Sequence, residues 1–425
     1  MPPESLVSPY VGVVRGVQDV LAGPEDVRLA TAWCESAHAD VLLGAAGAHS
    51  GGGSGFSTTE ARMAAIGEAV ERYSACFVDR DALVVTTARR LGTRAVDPSR
   101  FALFTERQLR SPGFRYVRFD HDTELAWIEG VALPDGEPAW LPAQLVHLAG
   151  HEHEPQIARA TSSGLACHAS RAVAVESALL ELLERDAFMI AWKARLTCPL
   201  LEWEGNDRLA TFELSFLRPT GLQWRVVDLS AFWDVPCAAA VVRSRARGSA
   251  PLGVGAAAGA TIERAVMKAL DEATRVRTWA DALHRLGQAA PEPRDIHDFD
   301  DHIRFYADPS NADRVAFLDA STQRRHTDRI RALSGATAED RVTAICRRLA
   351  RRGASAYAVD VTSPDVRDAG LTVVRTIAPE LCALDVEHDA PMLGGRRLYE
   401  EPFRLGLRPG PLTEDEINPD PHPFP

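Results

Sequence analysis

No stretch of about 18 consecutive apolar residues occurs in this 425-residue chain, so no transmembrane helix is expected. The start, Met1-Pro2-Pro3-Glu4, has neither the basic residues nor the apolar core of a secretory signal. Seven cysteines are scattered without any C-x-x-C pair, and the number is odd. That argues against a disulfide framework and against a zinc or redox site, and for reduced, mostly buried thiols in a cytoplasmic protein. Positive charge is in deficit: 47 Lys and Arg face 59 Asp and Glu, a net charge of −12. A general nucleic-acid binder needs a basic surface, and anionic membranes do not attract an acidic one, so neither partner is expected. A nucleotide would need local help from a metal ion or arginines. Neither a G-x-x-x-x-G-K-[ST] loop nor a strand–GxGxxG–helix unit with a ribose-binding acid is found.

With 46% hydrophobic and 25% charged residues, the chain can bury a large core. Its most informative feature is a loop-to-helix unit that occurs three times. Gly51-Gly52-Gly53-Ser54-Gly55-Phe56-Ser57 precedes a helical pattern over about Thr58–Phe77. Ser162-Ser163-Gly164 and then Ser170 precede one over about Arg171–Trp192, and Gly253, Gly255, Gly259 and Thr261 precede a third over about Ile262–Trp279. Each has small residues and then a Ser or Thr cap, and Ser57 with Glu60 fits a capping box. Eleven residues after the caps stand Glu68, Glu181 and Glu272; fourteen after, Glu71, Glu184 and Arg275; fifteen after, Arg72, Arg185 and Val276.

Residues i and i+3 share a helix face, so Glu68/Glu71 and Glu181/Glu184 each present two carboxylates side by side. Such oxygens suit Mg²⁺, which takes one or two carboxylates together with phosphate oxygens. Arg72 and Arg185 can clamp phosphate or pair with the first Glu. The plain alternative is an exposed i,i+4 salt bridge, but both motifs sit in apolar company and share one register. Eleven residues of helix rise roughly 16 Å, so a glycine loop and its own Glu are not expected to grip one phosphate. The site is expected where repeats cross.

His147, His151 and His153 form H-x-x-x-H-x-H, which a zinc ion or a solvated loop would explain; the loop is the expected reading. Cys167 beside His168 reads as structural. Residues from about 288 to 341 are polar, with Pro291, Pro293 and Pro309, and read equally as an insertion or lid bearing short helices, with a docking surface, or as a solvated connector.

Taken together, several blocks resemble the YcaO superfamily. They are Leu6-Val7-Ser8-Pro9 with Gly12-Val13-Val14-Arg15, Ala65-Ile66-Gly67-Glu68-Ala69-Val70-Glu71-Arg72-Tyr73-Ser74, and Thr161-Ser162-Ser163-Gly164-Leu165-Ala166 leading to Glu181–Ala187. Later come Val359-Asp360-Val361-Thr362-Ser363-Pro364-Asp365-Val366 and Gly394-Gly395-Arg396-Arg397-Leu398. The resemblance implies a mixed α/β fold, three loop–helix units packed on β-sheet, with residues 1–50 integral to it and 51–425 as the catalytic domain. It implies an enzyme that uses ATP and Mg²⁺ to phosphorylate a peptide amide oxygen, which then leaves as phosphate. By the same resemblance Glu68, Glu71, Glu181 and Glu184 are metal ligands, and Arg72, Ser163, Arg185, Glu272 and Arg275 contact nucleotide. Ala64 replaces a common serine, Ser163 a common asparagine and Arg275 a common glutamine, and the lysine often seen in the first loop is missing.

The last residues, Pro419-Asp420-Pro421-His422-Pro423-Phe424-Pro425, form an extended, semi-rigid tail by composition. It resembles the proline-rich C-terminus of the azoline-forming cyclodehydratases, where the Pro425 carboxylate would assist proton transfer. That implies conversion of Cys, Ser or Thr in a ribosomal precursor peptide to thiazoline or oxazoline. A separate leader-binding partner resembling a ubiquitin-activating enzyme, a downstream flavin dehydrogenase and a homodimer are implied as well. A thioamide or amidine former, or a non-catalytic scaffold that binds peptide, are the alternatives.

Overall fold

A computed structural model of the protein describes residues 3–23, 26–37, 50–245 and 250–424. Three long helices stand where the repeated pattern puts them: α1 (Thr58–Cys76), α2 (Arg171–Lys193) and α3 (Ile262–Arg285). Ser57 Oγ accepts from Glu60 N at 3.2 Å and Thr261 Oγ1 from Arg264 N at 3.4 Å, each satisfying a helix-end donor that has no partner within the helix. The box at Ser57 is displaced by one residue, because Glu60 Oε2 accepts from Phe56 N at 2.8 Å rather than from Ser57 N. α3 runs well past the expected stop at Trp279. Its apolar face continues through Ala280, which packs with Ala250, Val276, Ile303 and Ala307. Further helices are α4 (Phe299–Ala307), α5 (Ala338–Arg351) and α6 (Arg396–Arg404).

The strands are β1 (Val14–Val20), β2 (Ala30–Ser36), β3 (Ser50–Gly55), β4 (Leu83–Thr87) and β5 (Glu124–Leu133). β6 (Pro138–Pro142), β7 (Leu165–His168), β8 (Leu200–Glu202), β9 (Gln223–Asp228) and β10 (Cys237–Arg243) follow. β11 (Leu252–Ala258), β12 (Arg324–His326), β13 (Ala356–Asp360) and β14 (Thr372–Ile377) complete the set among the described residues.

Two units divide the chain. The first comprises Met1–Leu21, Leu29–Leu182 and Gly335–Leu381. It holds an antiparallel sheet of order β1-β2-β3 and a second of order β4-β5-β13-β14-β7, with β6 paired to β5. The second unit comprises Ala22–Arg28, Leu183–Ser334 and Cys382–Pro425, and holds one sheet of order β11-β10-β9-β8-β12. Within it β10 reads Cys-Ala-Ala-Ala-Val-Val-Arg and is buried along nearly its whole length, as expected for a strand covered on both faces. The polar stretch after residue 288 contributes short helices and also β12, which pairs in parallel with β8.

The fold is mixed α/β, with three related units packed on sheet as expected, but two of the three glycine stretches are strands rather than loops. Gly51, Gly52 and Gly53 lie in β3, and Gly253 and Gly255 lie in β11. A Cβ on Gly51 would stand 2.5 Å from Ala65 O and 2.7 Å from Ala69 N of α1, and one on Gly53 would collide with Ala61 O and Ala65 N. Gly253 and Gly255 meet α3 in the same way, at Ala273, Arg277 and Ala269. Glycine is there because strand and helix backbones touch. Gly164 is different: it turns at φ +85°, where an L side chain is strained.

Gly53→Ala should therefore destabilise the fold by about 1–3 kcal/mol through overpacking. Gly67→Ala, on α1 with open space around its Cβ position, should be neutral or stabilising by about 0.5–1 kcal/mol. Denaturant titration of both variants checks this; equal midpoints would refute the close-packing account.

Candidate functional site

In each repeat the strand ahead of the helix is the outermost strand of its sheet: β3, β7 and β11. An outermost strand has backbone N–H groups with no strand partner on one side. Carboxylates of the helices accept them. Gly52 N donates to Glu68 Oε2 at 2.6 Å, Gly164 N, at the entry to β7, to Glu181 Oε2 at 3.1 Å, and Ala256 N to Glu272 Oε2 at 2.9 Å. The first Glu of each repeat is thus bound to its own strand. The helix rise of roughly 16 Å, expected to keep a glycine stretch and its own Glu from gripping one phosphate, does not separate them in the fold. Gly52 lies five residues before Ser57, about 16 Å of strand, so the chain runs back along α1 to the level of Glu68.

The second carboxylate reaches the strand of the next repeat. Cys167 N donates to Glu71 Oε1 at 2.7 Å, and Ala258 N donates to Glu184 Oε2 at 3.2 Å. At the corresponding place in α3 stands Arg275, which has no acceptor to offer. Its Nε lies 3.3 Å from Asp271 Oδ2, one turn back.

In the first unit the charges of Glu68 and Glu181 both act on Glu71. Burial pushes Glu71 up to about 8, the nearby charges of Glu181 and Glu68 add to the rise, and the Cys167 N–H and Arg72 oppose it. Arg72 is paired at 2.5 Å with Glu68, the i,i+4 bridge of the plain alternative, but half-buried, and its Nη1 donates to Ser50 O at 2.8 Å. Ser163 is buried, and its N–H faces Thr161 Oγ1 at 3.3 Å. Carboxylates are the hard oxygen donors that a divalent cation such as Mg²⁺ takes, but among the described residues these three do not stand as a ready-made metal-ligating group.

In the second unit, Glu184 is buried and its Oε1 lies 3.5 Å from Arg185 Nε. Burial raises Glu272, while the charges of Arg185, Arg275 and Lys268 hold it back. Asp186, the neighbour of this motif, is fully buried. Arg397 grips it with Nε at 3.1 Å and Nη2 at 2.7 Å, while Trp233 Nε1 and Cys382 N complete its bonds. That pair ties α6 to α2, which explains why an acid adjoins the motif without belonging to it. Pro425 lies outside the described residues.

The histidine segment is not the solvated loop expected. His147 and His151 are buried, with rings 5.7 Å apart, while His153 is exposed. Burial lowers His147 to about 3, so it is neutral, and His151 Nδ1 lies 2.7 Å from Glu154 Oε1. Among the described residues no group of three or more metal-ligating side chains occurs, here or elsewhere. Cys167 is half-buried, and burial and the charge of Glu71 push its thiol up to about 12. Sequence reasoning missed Arg375 on β14. Its Nη1 donates to Thr161 O at 2.6 Å, at the head of the Ser-Ser-Gly turn, and the charge of Glu181 acts on it. A charge inside the apolar strand Val373-Val374-Arg375 was the signal available.

A family model described as YcaO cyclodehydratase, ATP- and Mg²⁺-binding, matches residues 52–382. An uncharacterized protein of Methanothermobacter thermautotrophicus is 26% identical over 365 residues, covering 81% of this chain and 84% of that protein. A solved heterocyclase in complex with substrate and cofactor superposes with a TM-score of 0.81 at 23% identity. It covers all of this chain, which spans only 57% of that protein's length. The structure of YcaO from Methanopyrus kandleri bound with AMPPCP and Mg²⁺ gives a TM-score of 0.61 at 20% identity, over 89% of this chain and 88% of that one. At these identities the solved structures show a shared fold.

Glu71 generates a pH prediction for the metal-free chain. An acid whose native pKa lies above its unfolded value keeps its proton in the native state after the unfolded chain has lost it. Its contribution to stability is therefore full below the ordinary value of 4.5 and is lost as pH rises toward about 8. Thermal unfolding without divalent ions should decline over that window, and Glu71→Gln should flatten the decline. A Glu71→Gln profile that fell as steeply as the parent's would refute this.

Proposed function

The chain belongs to the YcaO family, and from that membership we propose that it is an ATP-dependent cyclodehydratase converting Cys, Ser or Thr of a ribosomal precursor peptide to thiazoline or oxazoline. Family membership makes it an enzyme that uses ATP and Mg²⁺. The observation that supports the reading is the carboxylate register: two helices each present a Glu-x-x-Glu-Arg motif whose carboxylates are bound to strand edges.

In this proposal Glu68, Glu71, Glu181 and Glu184 hold Mg²⁺, which neutralises phosphate charge when bound. Arg72 and Arg185 contact phosphate, and Ser163, Glu272 and Arg275 line the nucleotide. The strand N–H groups and Arg375 keep these carboxylates and the Ser-Ser-Gly turn in place before nucleotide arrives. The peptide amide oxygen takes the γ-phosphoryl group, ADP leaves, and the oxygen departs as phosphate. The neighbouring side-chain sulfur or oxygen closes the ring on the carbonyl carbon, and one water is lost in sum. The tail supports the azoline product over thioamide or amidine, because it is held along α2 rather than left free. A separate leader-binding partner, a downstream flavin dehydrogenase and a homodimer belong to the same reading.

A non-catalytic scaffold is the second reading, and Arg275 favours it. Titration calorimetry with Mg-ATP separates the two. Saturable binding is expected, weakened about tenfold or more, at least about 1.4 kcal/mol, in Glu68→Gln or Glu181→Gln; no heat from the parent chain would favour the scaffold. Mass spectrometry of precursor peptide with ATP and the partner protein should show one water lost per ring, and an unchanged mass would sink the azoline reading. One residue appended after Pro425 should lower turnover. Undiminished turnover would count against a role for the terminal carboxylate.

A further inference from the structure

The proline-rich tail runs back along the last turns of α2. Asn418 N donates to Lys193 O at 2.8 Å, and Asn418 Nδ2 donates to Trp192 O at 3.2 Å. Next, Asp420 O accepts from Trp192 Nε1 at 3.2 Å, while its carboxylate pairs with Arg195 and Arg314. Pro421 O accepts from Tyr306 OH at 2.6 Å, and His422 Nε2 lies 2.5 Å from Asp385 O with its ring stacked 3.9 Å from His302. The path ends with Phe424, whose side chain is fully buried.

Phe424 arrives at the Glu-x-x-Glu-Arg motif. Its ring lies 4.6 Å from that of Phe188, and the Arg185 guanidinium carbon sits 4.2 Å over its centre. Arg185 is held between that ring and the carboxylate of Glu184, and its charge is the largest one opposing the raised basicity of Glu272. A guanidinium above an aromatic face is attracted by the ring quadrupole, which fixes the plane of the group. A long side chain so clamped loses less rotamer freedom when it takes up a phosphate.

We propose that Phe424 is a positioning residue for Arg185, its ring holding the guanidinium ready to receive a phosphate of the bound nucleotide. This rests on the reading of Arg185 as a phosphate contact. It gives the tail a task in nucleotide binding that is separate from any chemistry of its terminal carboxylate. The side chain at position 424 is therefore specified as aromatic, whereas leucine would fill the space without the attraction between guanidinium and ring.

The test is Mg-ATP titration calorimetry on the full chain. Phe424→Leu keeps apolar bulk and leaves Pro425 in place; it should raise the Kd for Mg-ATP about tenfold. Phe424→Tyr should restore the parent value. In the background of Arg185→Met, where affinity is already reduced, adding Phe424→Leu should change the Kd no further, because the partner of the ring is gone. Thermal unfolding of each variant verifies that the fold is intact. Parent-like affinity in Phe424→Leu, or additive losses in the double variant, would overturn the proposal while leaving Mg-ATP binding standing. No binding by the parent chain would overturn the phosphate reading of Arg185 and the proposal with it.

Discussion

The structure depends on one recurrent interaction: a glutamate of a helix accepting the backbone N–H of an outermost strand. Among the described residues it occurs at Glu68, Glu71, Glu184 and Glu272, and Glu181 makes the same bond at the entry to β7. An open sheet edge otherwise presents donors that must find water or another chain. Here the helices carry the acceptors, and glycines let helix and strand backbones approach closely enough for the bonds to form. The same five bonds hold carboxylates at fixed places while leaving further lone pairs available, since each oxygen can accept more than one bond. In the proposed function, stability and metal binding draw on the same atoms.

The electrostatics follow from that arrangement. Backbone donors and Arg72 offset only part of the repulsion around Glu71, which is why burial and the neighbouring charges of Glu181 and Glu68 raise it. The third repeat differs in kind. Asp271 takes one contact of Arg275, and Glu272 is left as the lone acid of the register on α3. The threefold pattern is thus a structural one throughout, and a symmetric charge pattern only over its first two members.

The proline-rich segment after Ile417 is packed against the second unit rather than left free. Alternating proline keeps it extended, and bonds from Trp192, Lys193 O, Tyr306 and Asp385 O set its course. Composition announced an extended segment. Its path along α2, and the arrival of Phe424 over Arg185, came from contacts with residues more than a hundred positions away in sequence.

Spacing along the chain by itself determined the three helix starts, the caps at Ser57 and Thr261, the pairing of carboxylates on a helix face and the place where the third repeat departs. These are local matters, governed by helical period and by side-chain bonds a few residues long. Tertiary structure decided that the glycine stretches at 51–53 and 253–255 are strands. Glycine has no side chain to show a period of two, and its need arose from a helix packed against it. It also decided that α3 continues past Trp279, since Ala280 is buried by residues of α4. The burial of His147 and His151 was equally out of reach, because what surrounds a ring is set by the whole fold. Above all, tertiary structure decided which strand each glutamate serves. The rise of a helix shows how far apart two residues are along it, and only the folded chain shows that the strand returns to meet them.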